Sequence, residues 1–265
     1  MSTTPDRRSQ MRVLTLGTTT HLRIVEPNRT DGQDQACPTC KGAGFLVADV
    51  PYGHPRFGQL IPCACKQADQ QQRRQATLEQ LSNIADFRDQ TFATFDPDVP
   101  GVRKAFLRAH TFAQRPQGWL LLFGPCGAGK THLAAAAANQ VLDRGEPVLF
   151  TVVPDLLDHL RATFGPTSEV GYDERFEQVR SVGLLVLDDL GTESATGWAR
   201  EKLYQLLNHR YNQELPTIIT SNRAPDSLDP RVLSRMYQMV FGGEIMRVAA
   251  EDYRKRPMTT KGAGQ

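Results

Sequence analysis

The chain has 265 residues, 40% hydrophobic and 23% charged, enough for one sizeable core and a small accessory module. Lys and Arg total 31 against 29 Asp and Glu, so the net charge is +2 and any basic surface must be local. No stretch approaches the ~18 apolar residues of a membrane span, and "MSTTPDRRSQMRVLTLG" has no signal-type hydrophobic segment, so a cytoplasmic protein with no membrane partner is expected.

Residues 1–30 are polar and expected to be poorly ordered, with "MRVLTL" and "HLRIVEP" as short strand candidates. Residues 31–66 carry Cys37, Cys40, Cys63 and Cys65 among many Gly and Pro. That composition is loop-rich and too poor in aliphatics for a core of its own. The cysteines read C-x₂-C and C-x-C, with 22 residues between the pairs. In a reducing compartment such a cluster points to a metal rather than disulfides. Four thiolates in two local pairs suit tetrahedral Zn²⁺, with an iron–sulfur cluster as the alternative. "CPTCKGAGF" resembles a zinc knuckle, in which Gly42 and Gly44 let the backbone turn past the metal. His54, in "YGHPRFG", is a reserve ligand or a loop residue. A closed site of this kind is structural and would hold together a segment too polar to fold alone. Residues 67–90 are Gln- and Arg-rich and lack Gly and Pro. They predict an exposed helix, with Leu78, Leu81 and Ile84 at helical spacing, inside a linker over 67–96.

From residue 97 the pattern changes. "WLLLFG" (119–124), "PVLFTVV" (147–153), "GLLVLDD" (183–189) and "PTIITSN" (216–222) are apolar runs without polar alternation, as suits parallel strands buried on both faces. Helical stretches over 130–144, 154–164, 172–181 and 196–213 separate them. The alternation predicts an α/β domain over 97–256, a parallel sheet wrapped by helices. Leu203, Leu206, Leu207 and Tyr211 fall on one helical face and read as core packing. The tail, 257–265, is expected to be disordered.

"GPCGAGKT" (124–131) fits G-x-x-x-x-G-K-[ST] between an apolar strand and an Ala-rich helix. Gly124, Pro125, Cys126, Gly127, Ala128 and Gly129 would form the phosphate-binding loop, its glycines letting the backbone turn sharply and aim successive N–H groups inward as an anion nest at a helix N-terminus. Lys130 would reach the β- and γ-phosphates of ATP, and Thr131 would bind Mg²⁺. Cys126 occupies a variable position and gains no catalytic role, though a thiol there is exposed to oxidants. A second acidic element is then needed. Asp188, ending "LLVLD", fits the Mg²⁺ role, and Asp189 is placed to orient or deprotonate the attacking water. Glu193 is the fallback base.

With "GPCGAGKTHLA", "LLVLDDLGTE", "PTIITSN" and "SRM" in place, the chain resembles the AAA+ ATPases, and within them the DnaC/DnaI helicase-loader and IstB group. The resemblance runs from "TFATFDP" (91–97) to "DYR" (252–254). It implies that Asn222 is a sensor polarising water near the γ-phosphate, its amide buried and facing the nucleotide. It implies that Arg235 is an arginine finger acting on a neighbouring copy's ATP, so that the protein self-associates. Arg231 lies one turn away on the same face. Arg254 matches a second-sensor arginine loosely. Phe92 and Phe95 resemble aromatics beside the adenine, or are core. Asp189 stands where most AAA+ modules carry Glu, one methylene longer, although DnaI-like loaders also read "DD". Only 43 residues follow Asn222, too few for a full helical lid. In the extra crossover length over 154–182, Arg161 and Phe164 are candidate contacts to single-stranded DNA, against an ordinary amphipathic helix pair.

The resemblance, with the cysteine module ahead of it, implies a slow ATPase, regulated by DNA or a partner, that loads a replicative ring helicase. The alternatives are an IstB-like transposition helper and a nucleotide-gated DNA-binding adaptor. A P-loop small-molecule kinase would need an acceptor pocket and no arginine from a neighbour.

Overall fold

The computed structural model describes residues 22–24, 37–162, 172–192, 196–238 and 242–253. It comprises two compact units, residues 1–75 and 76–265.

In the first unit, β1 (Leu22–Ile24), β2 (Phe45–Ala48) and β3 (Leu60–Pro62) form an antiparallel sheet in the order β1-β2-β3. The loop-rich expectation for 31–66 is thus corrected: "FLVA" and "LIP" pair as a hairpin, and "HLRIVEP" supplies a third strand. "MRVLTL" lies outside the described residues. The shortage of aliphatics is real. The buried cluster consists of Cys40, Leu46 and Cys63, with Cys37, Ala43 and Cys65 against it. Sulfur thus takes much of the place of a hydrocarbon core in this unit.

Helix α1 spans Ala64–Leu81, nine residues short of the expected end at 90. The cause lies at the open edge of the sheet described next, formed by β5 (Val148–Val152). Ser82 Oγ donates to the Phe150 carbonyl and accepts from the Phe150 N–H, both at 3.3 Å. Asn83 N–H donates to the same carbonyl at 2.8 Å, and Asn83 Oδ1 accepts from Val152 N–H at 3.2 Å. Two polar residues therefore leave the helix to cap a strand edge whose groups would otherwise be unpaired. Ile84–Phe87 follow as one 3₁₀ turn, and Ile84 packs in a different cluster from Leu78 and Leu81.

The larger sheet contains β4 (Trp119–Phe123), β5, β6 (Leu184–Asp188), β7 (Thr217–Ser221) and β8 (Gly243–Arg247), all parallel, in the order β5-β6-β7-β4-β8. Alternate residues serve opposite faces. Leu120, Leu122, Val186 and Ile218 pack with α2 (Arg103–Gln114) and α3 (Lys130–Leu142). Leu121, Leu149, Leu185, Leu187 and Ile219 pack with α4 (Val153–Ala162), α5 (Tyr172–Ser181), α6 (Gly197–Asn212) and α7 (Pro230–Gln238). Each such buried aliphatic stabilises the fold by roughly 1.5–3 kcal/mol. Leu203, Leu206 and Leu207 are buried as expected, with Tyr211 packed against them. Helix α2 and the edge strand β8 were among the elements not anticipated. Arg108 of α2 joins them by donating to Glu244 of β8 at 2.5 Å. No lid of helices follows β8 among the described residues.

The carboxyl ends of β4, β6 and β7 open on the same side of the sheet, where ligands of open α/β folds bind. They carry, respectively, the glycine-rich loop, the paired aspartates and Asn222.

Candidate functional site

The loop 124–129 leaves β4 and enters α3 with Gly127 and Gly129 at φ 73° and 97°, conformations that disfavour a Cβ. Both are also crowded. A side chain at Gly127 would strike the Asp252 carboxylate, and one at Gly129 would sit 2.9 Å from the Phe95 ring. Tyr253 N–H donates to Gly127 O at 3.0 Å, so the segment that follows β8 backs the loop. A cavity of about 600 Å³ lies in front of it, within the range of small-ligand sites. Its walls include Cys126 to Thr131, Asp188, Asp189 and Asn222. The predicted residues Cys126 to Thr131, Asp188, Asp189 and Asn222 thus share one cavity, whereas Gly124, Pro125 and Arg235 are not among its walls.

Lys130 is buried and donates from Nζ to the Pro125 carbonyl at 2.7 Å. Thr131 Oγ1 lies 3.1 and 3.2 Å from the two Asp188 oxygens. Asp188 is itself buried, and that burial pushes its carboxyl above the usual carboxylate range, only partly offset by hydrogen bonds from Thr220 and Thr131. A buried carboxylate beside a hydroxyl, facing a cavity, is a fitting donor pair for a divalent cation.

Thr220, which sequence reasoning passed over, organises the pair. Its hydroxyl donates to Asp188 Oδ1 at 2.6 Å and accepts from the Asp189 N–H at 2.9 Å. One side chain on β7 thus fixes the Asp188 carboxylate and the Asp189 backbone at the end of β6. Asp189 adopts φ 61°, unusual for a residue with a side chain. There it accepts from Asn222 Nδ2 at 2.5 Å. The two aspartates consequently differ: Asp188 is buried and bound by two hydroxyls at the cavity wall, whereas Asp189 is half-buried and bound by an amide. Asn222 also lines the cavity but is exposed, not buried as expected.

Phe95 lines the cavity and stacks on Phe106 at 5.7 Å. Phe92 packs edge-on against Phe106 and His110 instead. Arg235 lies elsewhere: it donates to the Tyr204 hydroxyl at 2.8 Å and sits 5.1 Å from the Tyr211 ring. Arg231 covers the other part of Tyr204 at 4.1 Å and pairs with Asp229. Arg161 rests over Trp198 at 5.0 Å. Phe164, Glu193 and Arg254 lie outside the described residues.

The second cluster is the cysteines. The four Sγ atoms lie within 4.8 Å of one another, with Cys37–Cys63 at 3.9 Å and Cys40–Cys65 at 3.4 Å. Four sulfurs about 2.3 Å from a central ion would be roughly 3.8 Å apart, so the donor set fits a tetrahedral thiolate-bound metal. Gly44 N–H donates to Cys40 Sγ at 3.3 Å, a contact that stabilises bound thiolate. Without a metal the thiols share protons unevenly. Backbone N–H groups of Cys40 and Thr39 lower Cys37 to about 6, while hydrogen bonding with Cys40 pushes Cys65 up to about 12. His54 is exposed and stands outside the cluster, its Nδ1 accepting from Arg56 N–H.

Comparison with known proteins agrees with this geometry. The family model described as IstB-like ATP binding protein matches residues 62–258. The replicative helicase loader DnaI of Bacillus subtilis is 30% identical over 171 residues, 62% of this chain. The alignment takes in only 53% of that loader's own length. An ATP-binding protein in an insertion sequence of Mycobacterium tuberculosis is also 30% identical, over 226 residues, 78% of this chain and 85% of the relative. Among solved structures, the DnaC helicase loader superposes with a TM-score of 0.53 at 26% identity, covering 62% of this chain and 98% of that one.

Proposed function

The chain belongs to the IstB-like ATP-binding protein family, and on that premise we propose that it is a slow ATPase that loads a replicative ring helicase onto DNA in the cytoplasm. The observation that supports hydrolysis is the division of labour between the aspartates. Asp188 and Thr131 would hold Mg²⁺, whose charge offsets the cost of the buried carboxylate and stabilises negative charge on the phosphates. Lys130 exchanges the Pro125 carbonyl for the β- and γ-phosphates, at no loss of a hydrogen-bond partner. Asp189, held by Thr220 and Asn222, orients the attacking water and accepts its proton. Asn222 fixes the rotamer of that base. Because Asp is a methylene shorter than Glu, its reach to the water is less favourable, consistent with a nucleotide timer rather than a fast motor.

In this reading Arg235 completes the site of a neighbouring copy and must first leave Tyr204. The four cysteines hold Zn²⁺ and give the N-terminal unit the cohesion its few aliphatics cannot supply. That unit is the proposed helicase-docking module, and its presence favours the loader over other IstB-like roles. Single-stranded DNA is the second proposed partner.

One observation favours the transposition-helper reading: the insertion-sequence relative aligns over 85% of its length. Affinity capture of the host replicative helicase on the full chain, with ATP, ADP or no nucleotide, separates the two. The loader reading expects nucleotide-dependent capture that is lost with Lys130→Ala. Absence of capture in all three conditions refutes it.

A further inference from the structure

Between β2 and β3 of the N-terminal unit, residues 49–59 form a loop built from consecutive hydrogen-bonded turns. His54 N–H donates to Pro51 O at 3.2 Å, Phe57 N–H to His54 O at 2.8 Å and Gln59 N–H to Arg56 O at 3.2 Å. Gly53 and Gly58 supply the positive φ values, 90° and 73°, that let these turns follow one another. Arg56 N–H adds a bond to His54 Nδ1 at 3.1 Å. The loop is shaped by its own backbone rather than by packing on a core, for residues 51–60 are all exposed.

It nevertheless displays apolar side chains. Among the described residues six large apolar side chains are exposed, and three of them, Tyr52, Phe57 and Leu60, fall within nine positions of this loop and its exit. The Tyr52 ring is 91% exposed and meets Phe57, 53% exposed, edge to face with centroids 5.4 Å apart. An edge-to-face pair hides little of either ring, so flat apolar surface stays open to water. Apolar surface gathered on an ordered loop marks a contact site.

The surrounding charge narrows the partner. No Asp or Glu occurs between Asp49 and Asp69. Arg56 is exposed, and its guanidinium has no hydrogen-bond or ion-pair partner among the described residues. The cysteine cluster lies at the other end of the hairpin, where Cys63 N–H donates to Gly44 O at 2.9 Å, so its thiolate charge is set back from the loop.

We propose that this loop binds single-stranded DNA: unpaired bases stack on the Tyr52 and Phe57 rings, and Arg56 meets an adjoining phosphate. Open rings beside a free guanidinium, with no carboxylate to repel the backbone, are what a single strand requires. A duplex, whose bases already stack on one another, offers the rings no free face. The inference rests on the reading of single-stranded DNA as a partner and gives that partner a place on the N-terminal unit.

The test is fluorescence anisotropy of the full chain with a labelled oligothymidylate of about 20 nucleotides, longer than a single binding site, and with an abasic strand of the same length. Wild type binds the oligothymidylate at least about tenfold more tightly, as one or two stacked bases allow. Tyr52→Ala combined with Phe57→Ala brings that ratio to about two or less, with far-UV circular dichroism unchanged. Tyr52→Phe keeps the ring and keeps the ratio. Arg56→Gln weakens both strands alike and lowers the salt slope by about 0.7, the share of one phosphate contact. A ratio that survives in the double alanine variant overturns the inference while leaving DNA as a partner. Loss of helicase capture in that variant with the ratio intact also overturns it and assigns the surface to a protein. Failure of wild type to bind either strand overturns the reading of DNA as a partner, and this inference with it.

Discussion

Replacing Thr220 by Val keeps the shape of the side chain and removes only its hydroxyl. That hydroxyl is buried, donates to Asp188 Oδ1 at 2.6 Å and accepts from Asp189 N–H at 2.9 Å. A hydrogen bond to a charged group contributes about 1.5–3 kcal/mol, and leaving a buried donor unpaired costs about 1–3 kcal/mol. Thr131 still reaches both Asp188 oxygens, so part of the first loss is recovered. We expect Thr220→Val to destabilise the fold by about 2–4 kcal/mol. Thr220→Ser is the control: it retains the hydroxyl and loses a methyl, at about 1 kcal/mol. Urea denaturation followed by far-UV circular dichroism measures both. The Val variant should also lower MgATP turnover more than the Ser variant, because Asp189 loses an anchor for its left-handed backbone. If Val proves as stable as Ser, the reasoning that Thr220 organises the aspartates is refuted.

Lys130→Ala should weaken MgATP binding by 100-fold or more, on the order of 3 kcal/mol, without unfolding the protein, as read by calorimetry and thermal melting. Elemental analysis should find one zinc per chain. Its removal by a chelator should raise hydrogen exchange over residues 37–66, where Cys40 and Cys63 are the buried core. Arg210 is wholly buried with no carboxylate partner among the described residues, and its guanidinium binds Thr217 Oγ1 and the carbonyls of Val182 and Pro216 at 2.9, 2.8 and 2.6 Å. Arg210→Met should therefore destabilise by about 3–5 kcal/mol in urea denaturation, since several buried carbonyls lose their donor together.

Much of the fold was legible because its signals are local. Strands buried on both faces appear as unbroken aliphatic runs, and β4, β5, β6 and β7 each fall inside the stretch expected for them. The glycine-rich loop needs glycines at fixed offsets, and the thiol cluster draws on cysteines in pairs, so both are visible in the sequence. What was hidden depends on long-range partners. "GEIMR" lacks an apolar run because β8 is an edge strand, half-buried, tied by Arg108. The end of α1 at Leu81 is set by the backbone of β5, 68 residues away. Thr220 reads as an ordinary β-branched strand residue. Its role emerges only when β6 arrives beside it. Arg210 looks like the polar face of a helix until the carbonyls before β6 and β7 surround it.

The most direct test of the account is single-turnover hydrolysis of MgATP by wild type and Asp189→Asn, with binding measured alongside. The account predicts slow hydrolysis by wild type. It predicts a rate lower by about 10²-fold or more in Asp189→Asn, with ATP affinity unchanged, because the backbone N–H still meets Thr220 and the amide oxygen still accepts from Asn222, but the amide takes up no proton. Equal rates in the two proteins would contradict it.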